Sequence, residues 1–169
     1  MLALRDYSPL RALLGLLALA SAGLLAAALV AQYGFGLHPC HLCILQRYPY
    51  ALVVALGLVG CVFVRPERAV FGLVLLCGAL FLVDAGIATY HAGVEAGIFT
   101  GPSGCTSSDT GEQTLEEMRA AIMNAPLVTC DQAMAHILGL SLAAWNALAA
   151  FALALGTFAG AWYARRRKG

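Results

Sequence analysis

Four long apolar stretches alternate with shorter polar ones along the chain. The apolar stretches cover about residues 10–31, 44–64, 69–88 and 137–162. Each is long enough for a helix to cross a hydrocarbon layer of about 30 Å, which takes about 20 residues. Only the segment 65–68, which carries charges and a proline, separates the second stretch from the third, so it predicts a tight turn. The pattern therefore predicts an all-α membrane protein, a four-helix transmembrane bundle whose two middle helices form a hairpin.

The composition agrees with burial in a bilayer. Hydrophobic residues make up 61% of the chain and charged residues 11%, whereas soluble domains average about 45–50% and about 25%. A soluble monomer or a disordered chain is excluded by this balance, and 18 glycines without a repeat exclude collagen. The formal net charge of +1 gives no overall field that would attract nucleic acid. We expect one integral membrane domain, residues 1–169, and no nucleic-acid partner.

The positive charges predict the orientation of the bundle. Of ten Lys and Arg residues, only Arg47 and Arg119 lie in or next to the segments 32–43 and 91–136. The others lie on the opposite side: Arg5, Arg11, Arg65, Arg68, Arg165, Arg166, Arg167 and Lys168. By the positive-inside rule, both termini are cytoplasmic and the two loops face outward. The first apolar stretch exceeds the about 7–15 residues of a signal-peptide core, so we expect it to stay in the protein.

The longer outward loop carries a short amphipathic pattern. Apolar residues recur at helical spacing opposite a row of glutamates: Leu115, Met118, Ile122 and Ala125 against Glu112, Glu116 and Glu117. This spacing predicts a short helix. The helix either lies on the membrane surface or packs, solvated, on its own bundle, and the sequence does not choose between these interpretations.

The six cysteines fall into two groups. Cys61 and Cys77 lie inside predicted spans, where they are most simply small packing residues. The other four lie in the outward loops: Cys40, Cys43, Cys105 and Cys130. Outside the cytoplasm disulfides persist, and an even count of loop cysteines predicts two bridges. Four cysteines allow three pairings, which the residues alone leave open.

Cys40 and Cys43 form a Cys-x-x-Cys motif where the second span begins. Such a pair forms an exchangeable disulfide when a helix N-terminus or a cation stabilises its thiolate. Arg47 lies one turn further on, and a cation inside a span indicates function; the alternative is an Arg that reaches the lipid phosphates. His38 and His41 could complete a metal site, but the ligands are too crowded for a closed cage, so we expect no metal. His41 either lowers the pKa of Cys40 or, as we favour, fills an exposed position.

The segment 39–48, Pro-Cys-His-Leu-Cys-Ile-Leu-Gln-Arg-Tyr, closely resembles the signature of the DsbB family of bacterial inner-membrane disulfide-bond-forming proteins. Further segments agree with that family over nearly the whole chain: Tyr90-His91, Cys105 and Cys130, and the run from Gly139 to Asn146. The resemblance implies four spans with both termini inside and redox loops in the periplasm.

The resemblance also implies the roles of individual residues. A reduced DsbA-like protein of thioredoxin fold would attack Cys105, which pairs with Cys130 in the resting state. Electrons would pass by exchange to Cys40 and Cys43, and from Cys43 to ubiquinone or menaquinone from the membrane pool. Arg47 and His91 would bind the quinone. The activity would be quinone-dependent protein-disulfide oxidation that supports disulfide formation in exported proteins. The system of DsbA, DsbB and quinone is known to keep the bacterial periplasm oxidising.

Three alternatives stay open. Asp84, inside the third span, could pair with Arg47 or move protons to the reduced quinone, but a structural hydrogen bond to a neighbouring helix is the interpretation we favour. A structural four-span protein with a disulfide-stapled outer loop would explain the topology and the presence of Cys105 and Cys130. It would leave the Cys-x-x-Cys motif and Arg47 unexplained. A DsbB relative with a dedicated partner would fit the same sequence.

Overall fold

Helices dominate the computed structural model, which describes residues 8–102, 115, 119 and 129–167. The elements in chain order are α1 Pro9–Gly34, α2 His41–Leu45, α3 Arg47–Val62, α4 Glu67–Glu95, β1 His136–Ile137, β2 Leu140–Ser141 and α5 Leu142–Arg166. By length and composition, four segments could cross a membrane: Pro9–Gly34, His41–Val62, Glu67–Glu95 and Leu142–Arg166. The predicted all-α membrane fold is confirmed. The predicted amphipathic helix lies outside the described residues, apart from Leu115 and Arg119.

The second candidate span is interrupted at Gln46, where α2 ends and α3 begins. Pro49 explains the break. A proline has no N–H to donate to the carbonyl of the residue four positions earlier, here Leu45, and its ring clashes with that carbonyl. In α3 the same proline falls in the first turn, where the missing N–H costs nothing. The short helix α2, at the start of which the Cys-x-x-Cys motif lies, is therefore separate from α3.

Small residues let the long helices approach each other closely. The main contacts join α4 to α5 and α1 to α3, and the core between them includes Leu14, Val53, Val74 and Phe81. A Cβ on Gly57 would overlap Ala18 of α1. Close backbone approach at small residues is typical of helix pairs in membranes, where there is no hydrophobic driving force between helices.

Two helix ends differ most from the predicted spans. Helix α4, the third span, continues to Glu95, seven residues beyond the expected end at 88, and so carries His91. The last helix begins at Leu142 instead of 137, because 136–141 form an antiparallel hairpin with the two-residue turn Leu138-Gly139. Both turn residues have positive φ, 52° and 83°, as a type I′ turn requires. Ser141 then caps α5 by accepting a hydrogen bond from the Ala144 N–H at 3.1 Å.

Candidate redox site

Cys40 and Cys43 lie together at the start of α2. Cys40 is the N-cap residue, and its sulfur accepts a hydrogen bond from the Cys43 backbone N–H at 3.3 Å. The two Sγ atoms are 3.1 Å apart, with Cys40 donating to Cys43. Since a disulfide has an S–S distance of about 2.05 Å, the structure holds the pair as a dithiol. Cys40 is buried, whereas Cys43 is partly open, so the two sulfurs differ in access.

The hydrogen bond between the sulfurs also makes them chemically unequal. Donation to Cys43, together with burial, raises the pKa of Cys40 from 9.0 to about 12, although His91 acts in the opposite direction. Cys40 therefore keeps its proton at neutral pH. When the dithiol loses one proton, the negative charge resides on Cys43, the sulfur that receives the hydrogen bond.

Cys43 lines an apolar cavity of about 420 Å³. The apolar wall comes mainly from α1 and the start of α5, with Leu24, Leu25, Ala28, Ala31, Leu142 and Trp145. Few polar side chains reach it besides the cysteine: Gln46, Arg47, Tyr50 and Asn146. A mostly apolar cavity of this size with a few convergent polar groups is typical of sites for organic cofactors.

Arg47 holds a positive charge beside the same cavity. Its Nη1 donates a hydrogen bond to Gln32 Oε1 near the end of α1, at 2.7 Å. Within the described part of the chain, no carboxylate lies within ion-pair distance of this guanidinium. The charge is thus positioned by a neutral amide and stays available to an anion or a developing negative charge in the cavity.

A chain of buried side chains begins behind the cavity at Asp84. Asn146 donates from Nδ2 to Asp84 Oδ2 at 3.0 Å and to Gln46 Oε1 at 2.8 Å. Tyr50 donates to Asn146 Oδ1 at 2.8 Å. Asp84 therefore accepts a structural hydrogen bond from a neighbouring helix, as the favoured interpretation predicts, and it is not paired with Arg47 in the described contacts.

His91 continues this chain to the cysteines. Its Nδ1 lies 2.9 Å from Gln46 Nε2, and its Nε2 lies 3.5 Å from Cys40 Sγ and 3.6 Å from Glu95 Oε1. The imidazole is 1% exposed. It lies behind Gln46 and is not among the residues that line the cavity. Its direct contact is with the dithiol, and any effect of His91 on a cavity ligand passes through Gln46 or Cys40.

Cys130 comes from the far end of the long loop into the same region. It is fully buried in a small cluster with Cys40, Leu42 and Val94, against which Cys43 also packs. The structure thus brings three of the four predicted redox cysteines together. Cys105 lies outside the described residues.

Among the described residues, the group that could hold a metal ion does not include the two histidines that the sequence offered as ligands. His38 and His41 are both exposed, whereas Cys40, Cys43 and His91 have ligand atoms within 4.8 Å of one another. Sequence reasoning gave no separate role to Gln46, Tyr50 or Asn146. Polar residues inside apolar spans were the available signal, because such groups are costly in a membrane unless they have partners or a function.

Four candidate spans and a cysteine pair beside an apolar cavity define the class, a multi-pass membrane protein with a candidate dithiol redox site. The family model for "Disulfide bond formation protein DsbB" matches residues 10–160. The chain therefore belongs to the DsbB family and is a disulfide oxidoreductase of the disulfide-bond-forming type.

Curated relatives agree with this assignment. The chain is 32% identical over 143 residues to "Disulfide bond formation protein B" of Dechloromonas aromatica, covering 83% of this chain and 85% of that protein. It is 33% identical to the protein of the same name from Herminiimonas arsenicoxydans, covering 80% and 84%. An uncharacterized protein of Rickettsia prowazekii is 27% identical over 73% of this chain and 72% of its own length. No solved structure matches the chain significantly.

Proposed function

We propose that this protein, as one integral membrane domain, reoxidises a DsbA-like periplasmic dithiol protein and passes the electrons to a membrane quinone, ubiquinone or menaquinone. One observation carries the proposal. The Cys40–Cys43 pair borders two different surroundings, because Cys40 lies in the buried cluster that contains Cys130 and Cys43 lines the apolar cavity. A dithiol placed in this way can receive electrons from a loop cysteine and release them into a membrane-side cavity.

The exchange steps need only the four loop cysteines and the partner's two thiols. The partner's thiolate attacks Cys105 of a Cys105–Cys130 disulfide, and its second thiol resolves the mixed disulfide, so the partner leaves oxidised. Cys130 then attacks Cys40 of a Cys40–Cys43 disulfide and releases Cys43 as a thiolate. Cys105 resolves the Cys130–Cys40 bond, which leaves Cys40 and Cys43 as the dithiol. The burial of Cys130 in the same cluster as Cys40 supports the second exchange.

The cavity residues fit a quinone. Aliphatic and aromatic side chains of α1 and α5 suit its ring and isoprenoid tail. When bound there, a quinone supplies an acceptor for the two electrons and two protons of the dithiol. Arg47 would stabilise negative charge at a quinone oxygen, as preorganised cations do in other sites. Cys43 would present the electron-rich sulfur to the ring, while His91 would act from behind through Cys40 and Gln46.

The proposed orientation places the cysteines in the periplasm and both termini in the cytoplasm of a bacterial inner membrane. Basic residues meet at the end of the bundle opposite the dithiol. There Arg11 donates to the carbonyl of Arg65 at 3.2 Å, and Arg165 lies over the Phe71 ring, 5.1 Å from its centroid. A cluster of Arg at one end supports this orientation by the positive-inside rule.

Quinone reduction in detergent, with a reduced DsbA-type protein as the electron donor, tests the proposal. Quinone absorbance is followed for the wild type, Cys43→Ser and Cys105→Ser, with Cys61→Ser as a matched control in a span outside the site. We expect both site variants to abolish turnover and the control to retain it. Absence of turnover in the wild type with ubiquinone and menaquinone, although its disulfides are intact, would favour the structural four-span alternative.

A further inference from the structure

The hydrogen bonds behind the dithiol run from donor to acceptor beginning at Asn146, whose amide also donates to Asp84. We propose that Asp84 is a positioning residue which, through Asn146 and Gln46, holds His91 in the tautomer with its proton on Nε2, facing Cys40. The tautomer itself is independent of the proposed function. Only its consequence for electron transfer to a quinone rests on that function.

The orientation of the Asn146 amide is fixed by Asp84. The ionised carboxylate can only accept, so its Oδ2 faces Asn146 Nδ2 at 3.0 Å. A flipped amide would place a carbonyl oxygen against the carboxylate oxygen, and neither atom could donate. The Tyr50 hydroxyl donates to Asn146 Oδ1 at 2.8 Å and fits this orientation, but a hydroxyl can rotate to accept or donate and does not fix the amide alone.

The fixed amide determines the next two groups in the chain. The second N–H of Asn146 Nδ2 points to Gln46 Oε1, so Gln46 presents its Nε2 to His91 Nδ1. An amide nitrogen can donate but cannot accept, so Nδ1 must supply a lone pair. The proton of the neutral imidazole is then on Nε2. Gln46 and His91 are 6% and 1% exposed, which leaves little access for water to replace these bonds.

This tautomer completes a series of donors that ends at Cys43. The Nε2–H faces Cys40 Sγ at 3.5 Å, with Glu95 Oε1 at 3.6 Å as a second acceptor. Cys40 in turn donates to Cys43. Aligned hydrogen bonds polarise one another, and here the last acceptor is the sulfur that lines the cavity. The opposite tautomer would turn a lone pair of His91 toward Cys40 and compete with Cys43 for the Cys40 proton.

The direction of these hydrogen bonds also makes His91 a poor metal ligand, although it lies close to two thiols. A histidine that binds a metal through Nε2 normally donates its Nδ1–H to an oxygen acceptor. Here Gln46 offers Nδ1 a donor. The polar chain thus selects hydrogen-bond donation to the dithiol over coordination of a soft metal by Cys40, Cys43 and His91.

Nitrogen NMR of the full chain tests the tautomer directly. Protein labelled with ¹⁵N-histidine is kept reduced in detergent without quinone, and His91 is assigned by the loss of its signals in His91→Gln. Protonated and unprotonated ring nitrogens have well-separated shifts. We expect a neutral His91 with Nδ1 unprotonated and Nε2 protonated. A wild-type His91 protonated at Nδ1, or an even mixture of tautomers, would overturn the proposal without any further variant.

Three variants test the role of the carboxyl and the direction of the chain. Asp84→Asn keeps a carbonyl oxygen for Asn146 and should leave the His91 shifts unchanged, whereas Asp84→Leu removes the acceptor and should give a mixture of tautomers. Gln46→Glu is isosteric and offers Nδ1 an acceptor, so it should move the proton to Nδ1. Unchanged shifts in Asp84→Leu, or a change in Asp84→Asn as large as in Asp84→Leu, would refute the assignment.

Quinone reduction by the same variants separates this inference from the proposed function. Asp84 does not line the cavity, so Asp84→Leu should lower kcat about tenfold, as loss of a hydrogen bond to a charged group would, and leave the KM for quinone unchanged. If no variant, nor the wild type, reduces quinone while the tautomer is as expected, the proposed function fails and the tautomer stands. If quinone is reduced normally but the tautomer differs, only this inference fails.

Discussion

Cys43 and Arg47 lie one turn apart along the chain and line the same cavity, although they belong to different helices. Pro49 separates the two helices because it cannot donate to the Leu45 carbonyl. The break leaves the sulfur at the first turn of α2 and the guanidinium at the first turn of α3. Both groups consequently reach one apolar space, where, under the proposed function, the cation would stabilise negative charge that moves from the sulfur into the cavity.

Replacement of Arg47 should therefore impair quinone reduction more than replacement of the residue that holds it. We expect Arg47→Met to lower kcat/KM for quinone about a hundredfold, in line with the removal of one preorganised donor from an active site. Arg47→Lys keeps the charge but loses the planar fork and should lie between. Gln32→Leu, which frees Arg47 without removing it, should cost less than Arg47→Met. Steady-state kinetics with a reduced DsbA-type donor measure the order, and wild-type kinetics for Arg47→Met would contradict the role.

The raised pKa of Cys40 predicts how the reduced dithiol reacts with pH. Because the folded protein holds the Cys40 proton up to about pH 12, Cys40 should stay unreactive toward a neutral alkylating reagent at pH 8 and react only as the pH approaches that value. The largest cause is the hydrogen bond to Cys43. In Cys43→Ala only burial still raises the pKa, so the midpoint of the alkylation profile of Cys40 should move down toward the ordinary 9.0.

Mass spectrometry of alkylated peptides gives both profiles. The comparison uses midpoints, which report the pKa, instead of absolute rates, which also depend on how easily the reagent reaches the buried Cys40. Coincident midpoints for Cys40 in the wild type and in Cys43→Ala would show that the neighbouring sulfur does not control the Cys40 proton.

A substitution far from the dithiol tests the packing of the bundle. Gly57→Ala places a methyl group against Ala18 and the Leu14 carbonyl of α1, so it should destabilise the protein by about 1–3 kcal/mol, as overpacking of a core does. Gly72→Ala is the matched control, because nothing lies within 4 Å of its added Cβ. Reversible unfolding in detergent should show a loss for the first variant and no loss for the second. Equal stabilities would contradict the close α1–α3 contact.

The lengths of the apolar stretches were sufficient to predict the four candidate spans but not the ends of their helices. Apolar length determines whether a segment can cross a membrane, and that property is read directly from composition. The extension of α4 to Glu95 depends on contacts of His91 with residues distant in sequence, and the late start of α5 depends on a two-residue turn at Leu138 and Gly139. Such local turn chemistry and tertiary contacts are not visible in hydrophobic periodicity.

The candidate site was predictable to a similar degree. The Cys-x-x-Cys motif and Arg47 stand out because their chemistry is rare in a span, and His91 was found through the family resemblance. The chain from Asp84 to His91 was not predictable, because Asn146 lies 62 residues from Asp84 and 100 residues from Gln46 along the sequence. The packing of α4 against α5, and of α2 and α3 against α4, brings these groups into hydrogen-bond distance.

Filling the cavity should separate the two half-reactions of the proposed function. Ala28 lines the cavity from α1, so Ala28→Phe places a ring where a quinone ring would bind and should raise the KM for quinone at least about tenfold, a loss comparable to one good apolar contact. The loop cysteines and the Cys40 side of the dithiol are untouched. One round of electron transfer from a reduced DsbA-type protein to the disulfides, without quinone, should therefore proceed at the wild-type rate and stoichiometry.

Ala26→Phe is the matched control, since Ala26 lies on the same helix, is exposed and does not line the cavity. Its quinone kinetics should equal those of the wild type, because the added ring faces away from the site. A KM raised equally in both variants would mean that a bulky residue disturbs α1 as a whole. An unchanged KM in Ala28→Phe would place quinone reduction outside this cavity, and the dithiol would then have to meet its acceptor from the loop side, where Cys130 packs.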